Sequence, residues 1–128
     1  MTITAVKPKL KTVGVDHVVL HVSDLARSRK FYTELLGMEV NHESSWQSFL
    51  WCGSQQVALF EVRDGGPVKA GAELNHMALQ LDSGTYEEVK AKLEEWGCEV
   101  SGRSGDPHCL YFDDPDGHRL QVLLPGQQ

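Results

Sequence analysis

The chain states one pattern twice. Val15-Asp16-His17-Val18-Val19-Leu20-His21-Val22 sets a polar residue and a histidine before a short apolar run that stops at Ser23-Asp24. Leu74-Asn75-His76-Met77-Ala78-Leu79-Gln80-Leu81 repeats the arrangement and stops at Asp82-Ser83. Each copy then leads into a helical segment closed by glycine, at Gly37-Met38-Glu39-Val40 or Gly97-Cys98-Glu99-Val100. The two histidines lie 59 positions apart and the two glycines 60. Self-similarity at such a period marks a repeated supersecondary unit, and two copies are too few for a solenoid, which needs at least three. Two modules that complete each other is the better reading.

Within the first copy, Val15 to Val22 is apolar and β-branched, as in a buried strand. Alternation puts His17, Val19 and His21 on one face and Val18, Leu20 and Val22 on the other. Ser23 is the expected cap of a helix carrying Leu25, Ser28, Tyr32 and Leu35, with Gly37 just past its end. Three strands follow, at Met38 to Asn41, Trp46 to Trp51 and Val57 to Val62, and Phe49 and Trp51 share a face of the middle one. In the second copy Thr85-Tyr86-Glu87-Glu88 reads as a capping box, and Tyr86, Val89, Leu93 and Trp96 form one helix face. Glu99 to Ser101, Leu110 to Phe112 and Leu120 to Leu124 supply the last strands, with Asp113 to Gly117 as a tight turn. The expected fold is α+β: two βαβββ modules at about residues 13–63 and 72–124, joined by a Gly- and Pro-containing connector over 64–71. Residues 1–12 read as an N-terminal arm and 13–128 as a single domain.

Composition narrows the function. A hydrophobic content of 41% with 23% charged residues is that of a globular protein. With a net charge of −6 and no basic cluster, nucleic acid is not an expected partner. No apolar stretch reaches the length of a membrane span, and the start lacks the apolar core of a signal peptide. Cys52, Cys98 and Cys109 are odd in number and match no paired-metal spacing, so they read as free thiols in a reducing cytoplasm.

A histidine opening the first strand of each half-sheet would bring His17 and His76 together by pseudo-symmetry, and two neutral imidazoles are ordinary ligands of a divalent ion. His21 cannot join His17 on one ion, because four residues of strand separate them by roughly 13 Å. Phe31-Tyr32-Thr33-Glu34-Leu35-Leu36-Gly37, Asp16-His17 with Ser23-Asp24, and Leu110-Tyr111-Phe112-Asp113-Asp114-Pro115-Asp116-Gly117-His118-Arg119-Leu120-Gln121 follow in order. Together they resemble the vicinal oxygen chelate superfamily, which includes glyoxalase I, extradiol dioxygenases, fosfomycin-resistance thiol transferases and bleomycin-resistance proteins. The resemblance covers about Val13 to Leu124 and implies a glyoxalase/bleomycin-resistance/dioxygenase-like half-barrel cleft. It also implies a divalent metal, Fe2+, Mn2+, Ni2+ or Zn2+, held by His17, His76 and Gln121. Gln121 stands where the family has glutamate, so one negative charge is missing. The position of glyoxalase I's fourth ligand falls on Ala58, and Glu61 nearby is a further ligand only if a bulge turns it to the metal.

The resemblance implies several reactions on a small-molecule substrate with vicinal oxygens. An extradiol-type dioxygenase fits the spacing from Leu110-Tyr111 through Asp114-Pro115 and Gly117, with Tyr111 reaching the substrate and His21 or His108 as base. Glyoxalase-type isomerisation lacks its metal-bound carboxylate, and the fosfomycin thiol transferases carry a threonine where this chain has Val19. A metal-free binding protein of the bleomycin-resistance kind would use Trp46, Phe49, Trp51 and Tyr111 to line its cleft. Arg119 joins Trp46, Phe49 and Trp51 as an expected substrate contact. Small members of the family pair two chains, so a homodimer is expected.

Overall fold

The computed structural model describes residues 7–126. Residues 1–6 of the expected N-terminal arm lie outside them, and residues 7–16 carry neither helix nor strand. The chain then runs β1 (His17–Val22), α1 (Leu25–Lys30), a π-helical turn (Phe31–Leu35), β2 (Glu39–Glu43), β3 (Gln47–Cys52) and β4 (Gln55–Glu61). The second module follows with β5 (Met77–Gln80), α2 (Tyr86–Glu95), β6 (Ser101–Arg103), β7 (Asp106–Asp113) and β8 (Arg119–Leu123). This is βαβββ twice, an α+β fold with one four-stranded mixed sheet per module.

Both sheets have the same order, β1-β4-β3-β2 and β5-β8-β7-β6. In each, the first strand lies parallel to the last and the other pairs are antiparallel. Neither sheet closes into a barrel, so β1 and β5 are edges. Among the described residues no helix is long and apolar enough to cross a membrane.

The alternation expected for β1 is the one found. Leu20 and Val22 are buried while His17, Val19 and His21 are exposed. Leu20, Val22, Leu50, Val57 and Leu59 from the first sheet join Leu110, Phe112, Leu120 and Val122 from the second in one core. Leu25, Phe31 and Tyr32 fill it from the first helical segment and Leu93 from α2. Each such side chain contributes about 1.5–3 kcal/mol through removal from water. The helical sides of both sheets are thus spent on the core, and the opposite sides stay open. Gly37 and Gly97 end the helical segments with φ of 74° and 85°, a left-handed geometry that glycine adopts without strain.

The run Asp113 to Gly117 is more than the turn expected from its composition. The Asp116 carboxylate accepts the Ser23 hydroxyl at 2.6 Å and the Ser23 backbone N–H at 3.1 Å. Asp114 accepts the Tyr32 hydroxyl at 2.6 Å and the N–H groups of Asp116 and His118 at 2.9 Å each. The His118 ring, through Nε2, bonds the His21 carbonyl at 2.8 Å. This loop therefore clasps the second module onto the helical segment of the first. Because Ser23 is held by Asp116, it does not cap α1; Asp24 does, accepting the Arg27 N–H at 3.0 Å. The expected capping box at Thr85 is present, with its hydroxyl accepting the Glu88 N–H at 3.3 Å.

Candidate metal centre

His17 sits on the open face of the first sheet, and its Nδ1 lies 2.8 Å from the Asp16 carboxylate. His76 immediately precedes β5, and its Nδ1 lies 2.8 Å from the Asn75 side-chain oxygen. In both cases the residue just before the histidine accepts the Nδ1 proton, which leaves the Nε2 lone pair free for a ligand. Each imidazole also meets an aromatic ring edge-on. Phe49 approaches His17 at 5.5 Å and 69°, and Tyr111 approaches His76 at 5.5 Å and 83°.

The register makes these two groups equivalent. Phe49 pairs with Ala58 across β3 and β4, and Tyr111 pairs with Gln121 across β7 and β8. Each half-site is a histidine, an aromatic ring and one central residue, Ala58 in the first module and Gln121 in the second. Ala58 is fully buried beneath its neighbours. Gln121 is only 8% exposed. Its amide nitrogen bonds the Cys109 sulfur at 3.1 Å, which leaves the amide oxygen as the end of the side chain that could serve a ligand. That oxygen and two oriented imidazoles are a donor set suited to a divalent ion.

No hydrogen bond or ring contact among the described residues joins the His17 group to the His76 group, and no three His, Cys, Asp or Glu side chains converge. Both open faces are accessible, with Trp51 40% exposed on the first.

The other expected site residues divide by face. Trp46 packs on Phe60 at 5.2 Å, beside Phe49. His21 lies on the open face and lines the hollows beside the connector. The Arg119 guanidinium lies 5.8 Å from the Tyr111 ring and pairs with Asp113 at 2.9 Å. His108 is placed differently from its expected role as base. It alternates with Cys109 and Tyr111, so it faces the helix, where its ring meets Tyr86 at 4.8 Å. Glu61 is likewise turned from the cleft, since no bulge interrupts β4, and its carboxylate accepts the Leu25 N–H at 2.8 Å. Two neighbours of the site escaped the sequence reading. Cys109 is legible from its alternation with Tyr111, and Arg63, over the Trp46 ring, is not legible from strand pattern because it follows the last strand of its module. Burial raises the pKa of the Cys52 and Cys98 thiols, the latter also through the charge of Asp113, so both stay neutral thiols.

The profile of the Glyoxalase/Bleomycin resistance protein/Dioxygenase superfamily matches residues 14–122. The chain belongs to that superfamily. Within it, the chain is 31% identical to the glutathione transferase FosA of Serratia marcescens, over 85% of this chain and 79% of that one. It is 29% identical to the metallothiol transferase FosB of Staphylococcus saprophyticus, over 85% and 75%. Among solved structures, an integron cassette protein from the Halifax Harbour sewage outfall superimposes with a TM-score of 0.66 at 30% identity. That match covers 87% of this chain and 97% of the other.

Proposed function

We propose that the protein is a divalent-metal-dependent transferase or lyase acting on a small molecule with neighbouring oxygens. The observation that carries this is the duplicated histidine geometry, in which each Nδ1 is held at 2.8 Å by the preceding side chain and each Nε2 is left free. His17, His76 and Gln121 would hold the ion, which supplies Lewis-acid stabilisation of charge developing on a substrate oxygen. Tyr111, edge-on to His76 and flanked by Arg119, presents its hydroxyl to the same oxygen. The relatives, a glutathione transferase and a metallothiol transferase, support thiol transfer over the dioxygenase chemistry that spacing alone favoured. Val19 and Gln121 depart from the fosfomycin enzymes, so fosfomycin itself is not the proposed substrate.

The site is proposed to be completed by a second chain, in a homodimer with two equivalent centres. The support is that one chain leaves exposed strand residues on both open faces, His17, Val19 and His21 on β1 and Ala78 and Gln80 on β5. A cup formed between the first sheet of one copy and the second sheet of another would cover both faces at once. Light scattering is expected to give about twice the 14.3 kDa chain mass.

Protein purified without chelator is expected to carry about one divalent ion per chain and to consume glutathione with an electrophilic, oxygen-bearing substrate only when loaded. His76→Ala is expected to lose the ion. Undiminished uptake by that variant would refute the assignment.

A further inference from the structure

Gln121 differs from a carboxylate in having two chemically distinct ends. A carboxylate offers two equivalent oxygens, so either rotation presents an acceptor to an ion. An amide offers one oxygen and one NH2 group, and turning it over sets N–H hydrogens against the cation. A glutamine in this place therefore needs a neighbour that decides which end faces the open side of the sheet.

Cys109 is placed to make that choice. Its sulfur accepts the Gln121 Nε2–H at 3.1 Å, and both residues are buried. The strand register fixes the direction of the contact. Cys109 stands two residues before Tyr111 on β7; Tyr111 pairs with Gln121, and Asp113, two residues further on, pairs with Arg119. His76 directly precedes Met77, which pairs with Leu120, so it falls toward the Arg119 end of β8. Cys109 and His76 thus lie to opposite sides of Gln121. With the nitrogen drawn to the sulfur, the oxygen on the other branch of the planar amide is turned away from Cys109. A cavity of about 220 Å³, lined by Ala78, Arg103 and Asp106 as well as by Cys109 and Gln121, gives the amide room to turn once the sulfur is gone. The first module shows the converse. Gln47 stands two residues before Phe49, the counterpart of Tyr111, and the central residue there is Ala58, which has no end to orient.

We infer that Cys109 is a positioning residue of the metal centre, holding the Gln121 amide nitrogen so that the oxygen is the end offered to the ion. The inference rests on the metal-centre reading, and it gives the sulfur no bond to the metal and no part in the reaction. A sulfur is a weak acceptor, yet the choice it makes is between an attractive and a repulsive end of the same side chain. Groups standing behind a metal ligand commonly set affinity by about 10–100-fold.

Zinc affinity, read by competition with a chromophoric chelator, tests this on the whole chain in two backgrounds. In the parent, Cys109→Val, which fills the place and accepts no hydrogen bond, is expected to weaken zinc about tenfold or more. Cys109→Ser keeps an acceptor there and is expected to lose less than Cys109→Val. In the Gln121→Glu background either oxygen serves, so Cys109→Val is expected to change affinity by no more than about twofold. An unchanged affinity of Cys109→Val in the parent overturns the inference, and so do equal losses in the two backgrounds, which would mark a merely structural role. Should Cys109→Val fail to fold, Cys109→Ala is read in the same two backgrounds with the same expectations. Cobalt gives a second readout. The cobalt-loaded parent is expected to lack a sulfur-to-metal charge-transfer band; such a band, lost in Cys109→Ser, would put the sulfur on the ion itself and overturn the positioning role. A parent that takes up neither metal defeats the metal-centre reading and this inference with it. A parent that loads no better than Cys109→Val defeats this inference alone.

Discussion

Co-expression of two crippled chains offers the sharpest test of a site shared between copies. His17 lies on β1 in the first sheet, whereas Gln121 belongs to the second sheet and His76 immediately precedes its β5, and no hydrogen bond or ring contact among the described residues joins the two histidines. Suppose His17→Ala and His76→Ala chains, carrying different tags, are made together in equal amounts. Random pairing gives about half mixed dimers, by the statistics of a two-fold assembly. In a mixed dimer with shared sites, one centre takes His17 from the His76→Ala chain and His76 from the His17→Ala chain. The other centre has neither histidine. The mixture should therefore recover about a quarter of the parental metal, and dimers purified through both tags about half, given that each assembly has two sites. Elemental analysis at a free metal concentration where each variant alone stays empty reads this directly. A site closed within one chain predicts no recovery at all. Doubly tagged dimers that remain as empty as the single variants would refute the shared arrangement.

Two further outcomes follow from the clasp and from the missing carboxylate. Tyr32 is fully buried, and burial first, then the charge and hydrogen bond of Asp114, hold its phenol well above its ordinary pKa. A raised native pKa means that the unfolded chain loses this proton first, so stability is intact below about pH 10 and falls above it by about 1.4 kcal/mol per pH unit until the native phenol ionises. Denaturant titrations of Tyr32→Phe should show about 1.5–3 kcal/mol lost at neutral pH, from the bond to Asp114, and no such alkaline slope from this residue; an unchanged slope would point elsewhere. Gln121→Glu should tighten metal binding by about tenfold or more, because ligand charge strongly sets affinity for a divalent ion. Unchanged affinity in a competition titration would mean that residue 121 does not touch the metal.

Much of the scaffold was legible because it rests on local signals. The repeated histidine-strand pattern, the glycines at helix ends and the alternation of β1 are written in short stretches of chain, and each has its counterpart in the fold. Phe49 and Tyr111 could be matched only loosely, since choosing Phe49 over Trp51 needs the pairing of β3 with β4. The misread features depend on distant partners. Ser23 is a sound cap by composition, yet Asp116, far along the chain, takes its hydroxyl. His108 looked available as a base, and a single residue of strand phase turns it to Tyr86 instead. Glu61, by contrast, keeps the phase expected of it in the absence of a bulge, and the start of α1 supplies a backbone donor that holds it. Arg63 carried no signal of its own, because its place over the Trp46 ring comes from the fold and not from a strand pattern.

The shared strand order of the two modules makes their differences in side chains the informative part. Both place a histidine, an aromatic ring and a central strand residue in the same relation, so the backbone does not distinguish them. At the centre, however, Ala58 lets rings close over the first sheet, while Gln121 keeps a polar oxygen open on the second. The ring partners follow suit: Phe49 continues into Phe60 and Trp46, and Tyr111 carries a hydroxyl with Arg119 alongside. One half has become a flat apolar wall and the other a polar one. A cup that sets the wall of one copy against the polar half of another needs only the clasp of Asp114 and Asp116, which fixes the helical sides together and leaves both working faces free. The shared strand order supplies the frame, and different side chains at equivalent positions give its two halves different surfaces.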